Sequence, residues 1–466
     1  MTATPWERNL PRRALAVLVF MGLIVAASQL LAAGRSQPSA PVQAALPEAA
    51  APAVGALDGG DIITPTSEAD LARIQADIAF WSGRLAKQSN DFVSAEKWGE
   101  SEIDLARATG DVTAYLRANA AFDEALRLYP DLAAARAFKG SVLVSLHKFD
   151  DAIRLARETL AQTPNDATAL ATLGDGSLEL GDVASARSAF ERLAATAPSA
   201  AADARLAHLA FIAGDTITAI RLAPAAVAAS KEEEAVGERA AFYHFQLAET
   251  LVATGDRTGA EAAYRDAVAS DPGSFLAHAG LAHALASAAD LDGAIRELSA
   301  AIAIVPLPEF LARRGDLYAV RDARGDAARA KKDYDLVTFE AGLAGEAAYV
   351  YDRTLVLYLA NHGQDVEHAV SLAQAELAVR KDAYGYDALA WAQLAAGRAA
   401  DAEATIAEAL SFGTKDARLE YHAGMIALAL GQNDRARTSL EAALALDPAF
   451  DPLQAARARR ALADLS

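Results

Sequence analysis

Apolar and small residues recur along this chain at helical spacing, in stretches closed by Gly-Asp pairs or prolines. The pattern is clearest over 242–306, where it runs through twice. Leu247, Leu251, Gly255, Ala260, Tyr264, Ala267 and Pro272 are each followed 34 residues later by Leu281, Leu285, Ala289, Ala294, Leu298, Ala301 and Pro306. Recurrence at three and four residues places these positions on one face of a helix. A glycine or small residue near the middle and a proline at the end predict two helices per unit, joined by a tight turn.

The same punctuation extends in both directions. Gly-Asp pairs stand at Gly110, Gly181, Gly214, Gly255 and Gly325. Gly accepts the left-handed cap of one helix, and the following Asp can bind the free amides of the next. Pro130, Pro164 and Pro198 are 34 apart, as are Gly397 and Gly431. The first helix is expected over 67–88, with Ser67 as its cap and Leu71, Ile74, Ile78 and Trp81 on its apolar side. The stretch 200–231 is degenerate: Pro224 falls where a helix interior belongs, which predicts a kink or a shorter helix. The acidic run Lys231–Glu234 is expected to begin the next helix or the loop before it. The spacing between Tyr318 and Gly325 is about three residues longer than standard, and Gln454–Leu465 reads as a capping helix.

A 34-residue period with these small positions and closing prolines resembles the tetratricopeptide repeat (TPR) family. The resemblance covers 68–466 and implies an all-α protein, an α-α superhelix of about nine to ten helical hairpins. It implies protein binding and no catalysis. The C-terminal stretch from Asp382 is similar to exported bacterial TPR proteins. In the family the concave side, lined by the first helix of each unit, holds the partner. That register brings Phe242, Phe245 and Glu249 together with Leu276, Ala279 and His283. Toward the C-terminus it selects Tyr384, Asp387 and Trp391, then Arg418, Tyr421 and Met425. The expected partner-binding set is Phe242, Phe245, Glu249, His283, Tyr384, Trp391, Tyr421 and Met425. Relatives that clamp a C-terminal carboxylate carry Lys, Arg and Asn where this chain has Ser141, Asp175, Glu249, His283, Trp391 and Met425, so that clamp is absent.

The N-terminus is of another kind. Residues 1–13 are basic, and Ala14–Gly34 is a run of 21 residues without a charge. That length spans a bilayer as a helix. Arg8, Arg12 and Arg13 before it place the repeats outside the cytoplasm. It is read as a single-span inner-membrane anchor, with a cleaved signal peptide as the alternative. Residues 35–67, with five prolines, form an extended linker. The body at 68–466 is then exported, in the cell envelope or periplasm.

Composition narrows the function. Hydrophobic residues make up 53% of the chain, but alanine dominates them and aromatics are 7%, which suits closely packed helices. The net charge is −19, of which residues 1–35 contribute +3, leaving −22 on the rest. An acidic body opposes nucleic-acid binding. With no cysteine there is no disulfide, thiol nucleophile or thiolate metal site. No nucleophile elbow, phosphate loop or H-E-x-x-H occurs, and Gly174–Ser177 (GDGS) lies inside a repeat helix. The eight histidines are scattered, and His278 and His283 do not share a helix face. No catalytic residue, cofactor or metal is expected. The expected function is a scaffold for a protein or peptide partner. The alternative is a structural component of an envelope biogenesis, secretion or polysaccharide-export assembly.

Overall fold

A computed structural model describes residues 68–343 and 352–465. The anchor expected at 14–34, the linker at 35–67 and the Ser67 cap lie outside the described residues. Among the described residues no helix is long and apolar enough to cross a membrane.

A leading helix, α1 (Glu68–Lys87), is followed by ten hairpins and a final helix. The hairpins pair α2 (Phe92–Thr109) with α3 (Val112–Leu128), α4 (Ala133–Ser145) with α5 (Phe149–Gln162), and α6 (Ala167–Glu179) with α7 (Val183–Thr196). Next come α8 (Ala200–Ile212) with α9 (Thr216–Glu232), α10 (Glu238–Ala253) with α11 (Arg257–Ser270), and α12 (Phe275–Ser287) with α13 (Leu291–Ile304). Then α14 (Pro308–Arg321) pairs with α15 (Asp326–Leu343), and α16 (Asp352–His362) with α17 (Val366–Val379). The last two are α18 (Ala383–Ala395) with α19 (Ala399–Ser411) and α20 (Ala417–Ala429) with α21 (Asn433–Leu446), before α22 (Gln454–Asp464).

Four of the five Gly-Asp turns work as caps on both sides. Gly110, Gly181, Gly214 and Gly255 all have positive φ. The carboxylates of Asp111, Asp182, Asp215 and Asp256 accept from backbone amides in the first turn of the following helix, at 2.9–3.1 Å. The fifth pair departs from this. Asp322 takes the left-handed cap of α14, and the Asp326 carboxylate instead binds Arg321 and Arg329. Of this ion cluster, Arg321 comes from the longer stretch between Tyr318 and Gly325.

Small residues in the helices have equally specific neighbours. A Cβ on Gly174 would lie 2.1 Å from the Phe190 ring, and one on Gly280 the same distance from Tyr264. Gly174 receives the ring from its hairpin partner α7 and Gly280 from α11 of the preceding hairpin, so each aromatic side chain lies directly against a helix backbone.

One expectation needs correction. Helix α9 is not shortened at Pro224; it runs unbroken for 17 residues. Proline removes one amide, and the carbonyl it would have bonded belongs to exposed Ile220, where water can replace the donor. Of the acidic run, Lys231 and Glu232 end α9, while Glu233 and Glu234 lie in the loop before α10, the second of the two expected places; α10 itself starts at Glu238. Glu233 there accepts from the Ala200 amide at 2.6 Å and caps α8, the preceding helix.

Units about 200 residues apart meet along a seam. The Lys381 amide donates to the Glu179 carbonyl at 2.9 Å, and the Arg380 guanidinium pairs with the Glu179 carboxylate. The Thr414 hydroxyl donates to the Ile212 carbonyl at 2.6 Å. Further along, His283 pairs with Asp447 at 2.7 Å. Glu179 and Ile212 end α6 and α8, where carbonyls have no partner within their own helix. The loops before α18 and α20 supply the missing donors. Burial pushes the Glu179 carboxyl up, with Arg380 opposing. Burial acts the same way on Asp447, but the bonds from His283 and the Ala449 amide outweigh it and hold that carboxyl below its usual range.

Candidate functional site: a lumen lined by the first helices

Closing the seam turns the concave face into a lumen. Its walls are the first helices of successive hairpins, α8 through α20, with the segment after α21 at one end. The lumen contains a cavity of about 430 Å³ and a second of about 310 Å³, which share Phe211, Phe245, Glu249, Tyr384, Asp416 and Arg418 as lining. These volumes are in the range of small-molecule sites.

Of the expected partner-binding residues, Phe245, Glu249, His283 and Tyr384 line the larger cavity. Glu249 accepts from the Tyr264 hydroxyl, and the Tyr384 hydroxyl donates to Asp416 at 3.3 Å. Phe242 is not brought there. It is 40% exposed, and its ring meets Tyr243 edge-on at 5.4 Å.

Trp391, Tyr421 and Met425 form part of a packed core with Leu440, Ala443, Ala458 and Ala461. Tyr421 is 0% exposed and Trp391 6%, so neither presents a surface to a partner. Their neighbours come from the chain's own C-terminus. Phe450 packs on Tyr421 at 5.1 Å, while Trp391 donates through Nε1 to Asn361 at 2.8 Å. Gln454 of α22 binds the same Asn361 side chain. The final helix therefore reaches back to α16, in front of the residues expected to anchor a partner, rather than covering only the last hairpin.

Further lumen residues come from α14, α16 and α20. Glu309, Arg313 and Asp316 are spaced i, i+4, i+7 and face the cavity together. That charged stripe on a first helix was a readable signal. Asp316 accepts from Tyr334 at 2.7 Å and pairs with His362 Nε2 at 3.0 Å. Burial would lower the His362 pKa, but Asp316 and the Tyr358 carbonyl raise it. On α20, the Arg418 guanidinium lies 5.5 Å from the Tyr384 ring centre. His422 donates from Nδ1 to Asp387 at 2.7 Å and stacks on Trp391 at 4.1 Å. The other His422 nitrogen, Nε2, and Arg418 Nε have no hydrogen-bond partner among the described residues. Burial pushes the Glu309 carboxyl up, against the pull of Arg313 and Arg418. Among the described residues no group of three or more His, Asp or Glu is arranged to hold a metal ion.

The ten hairpins and their inner lumen define a superhelical helical-repeat scaffold. Three tetratricopeptide-repeat family models match, over 103–167 and 139–202, over 251–314, and over 417–450. These matches identify tetratricopeptide repeats in the chain over those residues. No curated protein matches it. Among solved structures it is similar to the human IFIT1 dimer with m7Gppp-AAAA, at 14% identity and TM-score 0.47, covering 74% of this chain and 79% of that one. The APC/C hetero-tetramer Cut9–Hcn1 aligns at 15% identity and TM-score 0.30, covering 85% and 96%. MamA aligns at 22% identity and TM-score 0.29, covering 37% and 94%. These likenesses concern the helical fold alone.

Proposed function

We propose that this TPR protein is a non-catalytic scaffold of the cell envelope that holds a short segment of a protein partner inside its lumen. The observation that carries this reading is the pair of adjoining cavities on the family's usual binding side. Their size suits a few residues of extended chain and not a folded domain or a helix of several turns. The carboxylate-rich wall disfavours nucleic acid. Export and single-span anchoring rest on the uncharged 14–34 run behind three arginines. The seam supports a second reading. With the concave side closed, outer helices remain for broad contact, as in a fixed component of an envelope biogenesis, secretion or polysaccharide-export assembly.

Photo-crosslinking in the native host separates the two. A benzophenone amino acid at Phe245 faces the lumen, whereas one at Ile217, which is 82% exposed, faces outward. The scaffold reading expects Phe245 adducts that map to one short stretch of one protein. Adducts from Ile217 alone would contradict it and favour the fixed component.

A further inference from the structure

We propose, building on the lumen-scaffold reading, that the bound segment is a peptide carrying a lysine or arginine, whose cationic side chain is received by Glu249 and Glu309. Six carboxylates line the larger cavity against two guanidinium groups, those of Arg313 and Arg418. Four of the six are served within the chain. Asp316 has Tyr334 and His362, and Asp447 has His283. Asp416 caps α20 through the Arg418 and Leu419 amides, and Asp451 binds those of Leu453 and Gln454.

Glu249 and Glu309 differ from these. Glu249 receives one neutral donor, the Tyr264 hydroxyl, and Glu309 lies by the Thr354 hydroxyl within the field of Arg313 and Arg418. An ionised carboxylate offers about four lone-pair sites, so both retain acceptor capacity toward the cavity. Burial pushes the Glu309 carboxyl up even against Arg313 and Arg418, in keeping with a charged form that gains from a further cation in the cavity. An ammonium or guanidinium group would restore what burial removed. Phe211, Phe245 and Leu276 on the same wall provide apolar surface for the aliphatic stem of such a side chain.

A second observation points to a peptide rather than a bare amine. His422 is fully buried at the cavity wall, and because its Nδ1–H is committed to Asp387, its unpartnered Nε2 is an acceptor in the neutral ring. One helical turn away, unpartnered Arg418 Nε is a donor, 3.9 Å from Asp387 and too far to bond it. A peptide group supplies an N–H for the first and a carbonyl for the second.

The test is calorimetric titration of the full chain with three probes: acetyl-Ala-Lys-Ala-amide, its norleucine counterpart, and 1,4-diaminobutane. The proposal expects saturable one-to-one binding of the lysine peptide, with norleucine at least tenfold weaker. Glu249→Gln with Glu309→Gln should remove that preference, bringing the lysine and norleucine peptides to equal affinity. Equal binding of the two peptides by the unaltered chain would overturn the cation assignment and leave the lumen-segment reading standing. Diaminobutane binding as tightly as the lysine peptide would overturn the peptide assignment. No binding by either peptide would overturn the proposal, while the lumen-scaffold reading would stand or fall on the Phe245 crosslinks.

Discussion

Gly214 and Gly431 occupy the same place in their hairpins, each with φ +73°. Their surroundings differ. A Cβ on Gly431 would meet nothing within 4 Å, and the same holds for Gly397. A Cβ on Gly214 would lie 2.3 Å from the Gly413 carbonyl oxygen, and one on Gly181 would lie 2.6 Å from that of Lys381. At the C-terminal turns glycine is needed only for its backbone conformation. At the two seam turns it also lets another stretch of backbone pass. One local motif therefore does two physical jobs, and only tertiary contact distinguishes them.

The largest expected effect exploits that contrast. Gly431→Ala should cost about 1–2 kcal/mol, the strain of a side chain in the left-handed region. Gly214→Ala carries the same strain plus about 1–3 kcal/mol of overpacking at the seam. Urea unfolding followed by helical circular dichroism should show the larger midpoint shift for Gly214→Ala. Equal shifts would mean that the seam does not constrain this turn.

A smaller effect sharpens the contrast from the other side of the seam. Thr414 is 3% exposed, and its hydroxyl serves the otherwise free Ile212 carbonyl. Thr414→Val leaves that carbonyl buried without a donor, at a cost of about 1–3 kcal/mol. Hydrogen exchange should quicken at the Lys381 amide, which lies on the same seam, and stay unchanged around Gly431. Unchanged exchange at Lys381 would mean that the seam contacts are independent of one another.

A third effect is a pH response away from the seam. Burial pushes Asp104 of α2 up to about 7, against Arg107 and Arg73. A carboxyl raised in the folded state stabilises most at low pH, and its contribution is lost as pH rises from about 4 to about 7. Glu96 and Glu102 on the same helix are also raised by burial and share that sign. The α1–α2 region, followed by Trp98 fluorescence, should thus unfold more readily at pH 8 than at pH 5. Asp104→Asn should flatten the upper part of that window and leave the seam variants unaffected. An unaltered profile would remove Asp104 from the account.

The repeats were legible because their signals are local. Helical periodicity, the four Gly-Asp caps and the closing prolines each depend on neighbours within one unit. Helix α9 shows the limit of such reading, since Pro224 argues locally against a helix that packing on both sides maintains. The site was only half legible. Phe245, Glu249, His283 and Tyr384 follow from the first-helix register, and the Glu309–Arg313–Asp316 stripe was available by the same rule. Trp391 and Tyr421 satisfy that register equally well and are nevertheless buried, because the segment from Asp447 onward folds across them. Nothing near residues 391 or 421 encodes that return. The seam was invisible for the same reason: Glu179 and Arg380 are 201 residues apart and share no pattern.

Closure along the seam is the claim on which the lumen depends, and the chain's lack of cysteine allows a direct test. Glu179→Cys combined with Arg380→Cys, treated with a short bismaleimide at low protein concentration, should yield an intramolecular bridge. Mass spectrometry of the digest should join the two peptides, with a yield independent of concentration. Loss of the bridge, or bridging only between molecules, would mean that the array is open and its concave face is an exposed groove.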